Sequence, residues 1–113
     1  GTASISVRNS IIKFTKCLFN GKASGGTSTA GLTFSHGSHV HVDDTCKFNG
    51  FSNVIVLYSS TAYIEACSGS NNTTGVYAKY GSFAINLASS TIGATTPNIA
   101  SGGIIFKSPQ VIE

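Results

Sequence analysis

Short runs in which every second residue is apolar recur along this chain, separated by Gly, Ser and Asn. A first unit reads Ile5-Ser6-Val7, then Asn9-Ser10, then Ile12-Lys13-Phe14, then Cys17-Leu18-Phe19-Asn20-Gly21. A second reads Leu32-Thr33-Phe34, Gly37-Ser38, Val40-His41-Val42 and Cys46-Lys47-Phe48-Asn49-Gly50. A third reads Ile55-Val56-Leu57, Ser60-Thr61, Ala62-Tyr63-Ile64 and Ala66-Cys67-Ser68-Gly69. A fourth reads Val76-Tyr77-Ala78, Gly81-Ser82 and Phe83-Ala84-Ile85-Asn86-Leu87. The last reads Ile104-Ile105-Phe106, Ser108-Pro109, then Gln110 and Val111. Alternation at period two predicts strands with one buried face. The small residues between them fit tight corners. A helical reading fails: the run 54–58 is rich in β-branched residues, and no N-cap precedes a long stripe at period 3.6.

The units align in register. Cys17-x-Phe19-Asn20-Gly21 recurs 29 residues later as Cys46-x-Phe48-Asn49-Gly50. Ile55, Leu57, Ser60, Ala62 and Ile64 recur 21 residues later as Val76, Ala78, Gly81, Phe83 and Ile85. Val76, Ala78 and Phe83 recur 28 residues later as Ile104, Phe106 and Val111. Periods of this size predict a solenoid. A sandwich of short antiparallel strands does not require like residues at the same place in each unit. The expected fold is therefore all-β: a right-handed parallel β-helix of about four to five rungs. The polar stretches 20–31, 50–53, 68–75 and 89–103 are expected to leave it as loops along one edge. The whole chain, 1–113, reads as one domain. With open ends it reads as a fragment of a longer fibrous protein, covered by further rungs or by copies of itself.

Composition narrows the setting. Charged residues make up 10% of the chain, against roughly 25% in an ordinary soluble domain, while 41% of residues are apolar. That balance excludes disorder and places a Ser-, Thr- and Asn-rich surface over a real core. The net charge of +3 comes from scattered Lys and Arg without an interleaved aromatic stripe, so nucleic acid is not an expected partner. No run is long and apolar enough to span a membrane as a helix, and no cofactor motif is present. Cys17, Cys46 and Cys67 cannot all pair with one another, and they are read as buried free thiols.

Candidate chemistry is sparse. Asp43, Asp44, Glu65 and Glu113 are the only carboxylates. Adjacent strand residues face opposite ways, so either Asp44 or Asp43 pairs with Glu65 across one rung spacing, the minimum a glycosidase needs. A lyase would instead nominate His41 with Lys47. His39, His41 and Asp43 share one strand face at i, i+2 and i+4, which is a candidate metal constellation. Tyr58, Tyr63, Tyr77 and Tyr80 are the aromatic candidates for sugar stacking. Asn71-Asn72-Thr73-Thr74 contains two overlapping glycosylation sequons.

The stacked apolar strands, the Asn9-Ser10, Gly37-Ser38 and Gly81-Ser82 corners and the Phe-Asn-Gly strand ends resemble pectate-lyase-like parallel β-helix proteins. Within that group, the small, low-charge rungs are most similar to bacteriophage tailspikes and tail fibres. The resemblance implies a homotrimer on the virion surface that binds, and in some members cleaves, bacterial surface polysaccharide; the first expectation here is a structural and receptor-binding segment without its own catalytic centre. Phe19-Asn20, Phe48-Asn49 and Gly102-Gly103-Ile104-Ile105 also resemble the FxxN and GGAI repeats of polymorphic outer-membrane adhesins, although Phe and Asn are adjacent here. That likeness implies an alternative, a secreted bacterial or archaeal adhesin or filament subunit that assembles through open solenoid ends. A polysaccharide-cleaving β-helix enzyme is the third expectation.

Overall fold

β-Branched and aromatic residues at alternate positions favour an extended, half-buried backbone, and the alternating runs fold as strands. The structure is a computed structural model that describes residues 5–21, 28–43, 46–87, 92–107 and 110–112, with only the backbone described at 28, 29 and 110–112. The first turn is β1 (Ile5–Arg8), β2 (Ile11–Thr15) and β3 (Leu18–Asn20). The second is β4 (Ser28–Ser35), β5 (His39–Asp43) and β6 (Lys47–Asn49). The third is β7 (Phe51–Tyr58), β8 (Thr61–Glu65) and β9 (Ser68–Ser70). The strands β10 (Asn72–Lys79) and β11 (Phe83–Leu87), then β12 (Ala94–Ser101) and β13 (Ile104–Lys107), extend two of the three sheets. Finally, β14 (Gln110–Ile112) folds back antiparallel on β13.

Among the described residues all other strand pairings are parallel, with one isolated antiparallel bridge between Lys79 and Gly102. The first sheet runs β1-β4-β7-β10-β12, the second β2-β5-β8-β11-β13 with β14 at its edge, and the third β3-β6-β9. The fold is an all-β parallel solenoid of about three complete turns, with two shorter turns after them. The expected count of four to five rungs corresponds to the five strands of the first sheet; among the described residues the third sheet has strands from the first three turns.

Like stacks on like through the core. Val7, Phe34, Leu57, Ala78 and Ala100 form one column of the first sheet, and Ile12, Val40, Ala62, Ala84 and Ile105 form one column of the second. In the third sheet Phe19 lies over Phe48, the rings stacked at 4.8 Å and 5° apart, and Asn20 lies over Asn49. The 29-residue alignment is therefore the spatial one.

A serine ladder runs up the corner between the first and second sheets. The backbone N–H of Ser10 donates to Ser38 Oγ at 3.2 Å, that of Ser38 to Ser60 Oγ at 3.2 Å, and that of Ser60 to Ser82 Oγ at 3.1 Å. Each hydroxyl in turn donates to a carbonyl of its own turn, Ser35, Tyr58 and Lys79 respectively. One small side chain thus accepts from the turn before and closes its own corner. Just before the ladder, Asn9, His36, Ser59 and Tyr80 all adopt positive φ, between 49° and 57°.

Two alignments are corrected. Thr61 pairs with Phe83 and Ala62 with Ala84, so Ala84 and Asn86 face inward while Phe83 and Ile85 face outward. The 21-residue offset holds in the first sheet, where Ile55 pairs with Val76, and becomes 22 across the corner. The cause is Gly81, an extra corner residue at φ 76° with nothing within 4 Å of where a Cβ would sit. A slip of one residue reverses every side chain in a strand. The second correction concerns the last unit. Ile104 pairs with Phe83, not with Val76; Val76 pairs with Asn98 of β12. Residues 94–101, expected as loop, are a strand. So are 51–53, 68–70 and 72–75, which belong to β7, β9 and β10. The long polar stretches are therefore largely part of the sheets, not loops on one edge.

Three backbone groups at the third corner depend on one side chain. Asn72 is buried; its Nδ2 donates to the carbonyls of Phe48 at 2.8 Å and Ile92 at 2.7 Å, and its Oδ1 accepts from the N–H of Phe51 at 2.9 Å. Each buried polar group left without a partner costs about 1–3 kcal/mol. Asn72→Ala is therefore expected to lower the unfolding free energy by about 3 kcal/mol or more, read as a lower urea midpoint. Asn71→Gly, at the exposed neighbour with φ 58°, should stay within about 0.5 kcal/mol of the parent. Equal midpoints for Asn72→Ala and the parent would contradict this role.

Candidate functional site

The outer face of the second sheet is a grid built from the odd positions of its strands. One column is Lys13, His41, Tyr63, Ile85 and Phe106; beside it Ile11, His39, Thr61, Phe83 and Ile104 form another. On the other side Thr15 lies over Asp43, and Glu65 over Leu87. Its first three turns are largely polar and its last two apolar.

The polar part gathers two candidate carboxylates around one imidazole. His41 Nε2 lies 3.4 Å from Asp43 Oδ2 and 3.2 Å from Glu65 Oε1, and one ligand atom from each of the three lies within 4.8 Å of the others. The Thr15 hydroxyl donates to Asp43 Oδ1 at 2.9 Å, and Lys13 Nζ sits 3.3 Å from Asp43 Oδ2. Burial alone would raise the Asp43 pKa, but the Thr15 hydrogen bond, the Lys13 ammonium and His41 outweigh it and hold the carboxyl below its ordinary value. The Tyr63 ring meets the His41 ring edge to face at 4.9 Å, which restrains the imidazole.

This arrangement redraws the expected constellation. His39 does share a face with His41 and Asp43, but its Nδ1 pairs with Thr61 Oγ1 at 2.6 Å. Glu65, from the next turn, takes its place beside His41. Asp44 lies outside the described residues, so of the two expected carboxylate pairs only Asp43 with Glu65 is placed, and His41 stands between them. His41 and Lys47 lie on different sheets. Lys13 and Thr15 were missed. Their signal was the 28-residue spacing to His41 and Asp43, the same spacing that separates Ile11 from His39.

The tyrosines divide. Tyr63 belongs to the second sheet, whereas Tyr58, Tyr77 and Tyr80 gather on the first sheet and its corner. The Tyr58 and Tyr80 rings stack at 5.8 Å, and Lys79 Nζ lies 4.3 Å from the Tyr77 ring centroid and 5.3 Å from that of Tyr58. Lys79, which sequence reasoning passed over, pairs with Tyr58 across the sheet. Tyr80 is 67% exposed, so the cluster presents an aromatic face beside a cation.

The sequon asparagines also separate. Asn71 is exposed, and Asn72 is buried with its amide committed to three backbone groups. Among the described residues no helix is long and apolar enough to cross a membrane. No family model, curated protein or solved structure matches the chain, so the site is read from its own geometry.

The cysteines form no disulfide with one another and stack at one corner, Cys46 and Cys67 buried and Cys17 partly exposed. Burial raises the Cys46 thiol, and burial with the nearby Cys46, Asp43 and Glu65 pushes Cys67 up to about 12. Thiolates are the reactive form. A thiol reagent at pH 8 is therefore expected to modify one cysteine per folded chain quickly, Cys17, and all three in denaturant. Rapid native modification of a Cys17→Ser variant would refute that assignment.

Proposed function

We propose that this chain is a structural and receptor-binding segment of a viral tailspike or tail fibre, working outside the cell as a homotrimer on bacterial surface polysaccharide. The observation that carries this reading is the Tyr58, Tyr77, Tyr80 and Lys79 cluster. Sugars offer C–H faces that lie on aromatic rings, and hydroxyls that accept from an ammonium. The cluster sits on a rigid sheet end, with its rings already positioned by one another. A platform of this kind binds without needing a catalytic centre, and the two placed carboxylates face His41 instead of an open sugar-sized gap. A cleaving enzyme is the weaker reading on that account.

Self-association has separate support. Phe83, Leu87, Ile104 and Phe106 are exposed on the second sheet, between 36% and 42%, and form one apolar area with Ile85. Such an area beside polar rungs fits contact between parallel copies. The adhesin or filament alternative requires end-to-end growth. In the second sheet β14 of the same chain already occupies the edge of β13, which favours side-by-side assembly.

Binding is tested on immobilised capsular and lipopolysaccharide glycans from a bacterial panel. Tyr80→Ala and Tyr77→Ala are each expected to weaken binding to a recognised glycan about tenfold, the effect of losing about 1.4 kcal/mol of contact. Both variants should keep the parent's circular dichroism. Wild-type affinity in both variants would refute the platform. Light scattering separates the assemblies: a closed trimer supports the fibre segment, and concentration-dependent polymers support the filament.

A further inference from the structure

We infer that His41, Asp43 and Glu65 form a binding site for a borderline transition-metal dication of the Zn²⁺ class, clamping the second turn to the third. The inference is independent of the glycan reading. Zinc takes one imidazole nitrogen and carboxylate oxygens at about 2.0–2.2 Å, which sets neighbouring ligand atoms of a tetrahedral site about 3.4 Å apart. The two His41–carboxylate separations are 3.4 and 3.2 Å. Those two separations already match the spacing the ion requires, and the Asp43 and Glu65 oxygens, within 4.8 Å of each other, need to close by at most about 1.4 Å. A nitrogen donor selects against Ca²⁺ and Mg²⁺, which prefer oxygen cages.

The surroundings fit as well. Thr15 holds Asp43 Oδ1 at 2.9 Å and so turns Oδ2 toward His41, the kind of outer contact that orients a metal carboxylate. Tyr63 fixes the imidazole plane. The ligands are partly exposed, with His41 at 32% and Glu65 at 38%, leaving coordination positions open to water or to an oxygen of another molecule. Lys13 is the competitor. Its ammonium sits 3.3 Å from Asp43 Oδ2, but the side chain is 57% exposed and free to swing into solvent. The ion would then replace the ammonium as the positive partner of Asp43 and bridge it to Glu65 and His41.

The experiment is a titration of the untagged, EDTA-dialysed chain with ZnCl₂ at pH 7.5, followed by calorimetry and by thermal unfolding. One Zn²⁺ per chain should bind and raise Tm, because an ion held only by the folded state stabilises it. His41→Ala and Glu65→Gln should each weaken binding at least tenfold, while His39→Ala leaves it unchanged. Thr15→Val should weaken it about tenfold, and Lys13→Ala should tighten it. Ca²⁺ at the same concentration should neither bind nor move Tm. The site is overturned if no heat or Tm shift appears up to 0.1 mM Zn²⁺ (about a hundredfold above a micromolar site). It is equally overturned if folded His41→Ala binds as the parent does, or if His39→Ala abolishes binding. Because these variants lie on the outer face, circular dichroism is expected to match the parent, and Glu65→Gln supplies the loss-of-ligand test should His41→Ala unfold.

Discussion

Each strand up to β13 finds its backbone hydrogen-bond partners in a neighbouring turn rather than in the next segment of chain. That one constraint organises the molecule. A residue at a given height on one turn must meet its counterpart on the next, so corners have to be taken at the same point and in the same way. The positive φ of Asn9, His36, Ser59 and Tyr80 marks that shared point, and the hydroxyls of Ser38, Ser60 and Ser82 tie it together. The ladder ends where Gly103 replaces serine. A Cβ at Gly103 would lie 2.9 Å from the carbonyl oxygens of both Ala78 and Ser82, so the last corner closes on backbone alone.

The constraint fixes pairing but not the length of chain between pairs. Two residues, Asn9 and Ser10, separate β1 from β2, whereas three, His36, Gly37 and Ser38, separate β4 from β5. The third turn has two again, Ser59 and Ser60, and the fourth has three, Tyr80, Gly81 and Ser82. The added residue is a glycine each time, Gly37 at φ 77° and Gly81 at φ 76°, both with open space beyond the Cα. The serine keeps its place in the ladder and the extra peptide bulges outward. The solenoid therefore absorbs an insertion at a corner, and the strands on either side stay in register.

This explains what could be read from the sequence and what could not. Cys17 over Cys46, Phe19 over Phe48 and Asn20 over Asn49 were legible because side chains of one kind satisfy one another when stacked: rings pack face to face, and Asn49 Nδ2 donates to Asn20 Oδ1 at 3.1 Å. The strand β12 was not legible. Its inward positions are Ala94, Thr96, Asn98 and Ala100, none of them a large apolar residue, and it contains Pro97, so neither alternation nor composition marks it. It pairs in parallel with β10 along its length, and Asn98 accepts from Asn86 Nδ2 at 2.6 Å, a polar pair at the end of the apolar columns. Pro97 is tolerated because β12 is an edge strand, and Gly75 opposite it has no Cβ to strike the Pro97 carbonyl. Of the site, the shared face of His39, His41 and Asp43 followed from period two. The arrival of Glu65 depended on the cross-turn register between β5 and β8, which the carboxylate pairing anticipated and the metal constellation did not.

The corner glycines have a consequence for the surface as well. With Gly81 inserted, Phe83, Ile85 and Leu87 face outward and Ala84 and Asn86 face the core. Without it, the large apolar residues would turn inward over Ala62 and Ile64, and the outer face of the fourth turn would be small and polar. The same is true two corners earlier: Gly37 places His41 and Asp43 outward over Lys13 and Thr15, where the unspaced alternative would turn Val40 and Val42 to solvent. A residue with no side chain thus decides which chemistry reaches the surface. The core consists of stacked columns that differ little from turn to turn, so specificity in this molecule resides on outward positions and corners. The polar cluster on the second and third turns and the apolar area on the fourth and fifth are both set by a single-residue choice at a glycine.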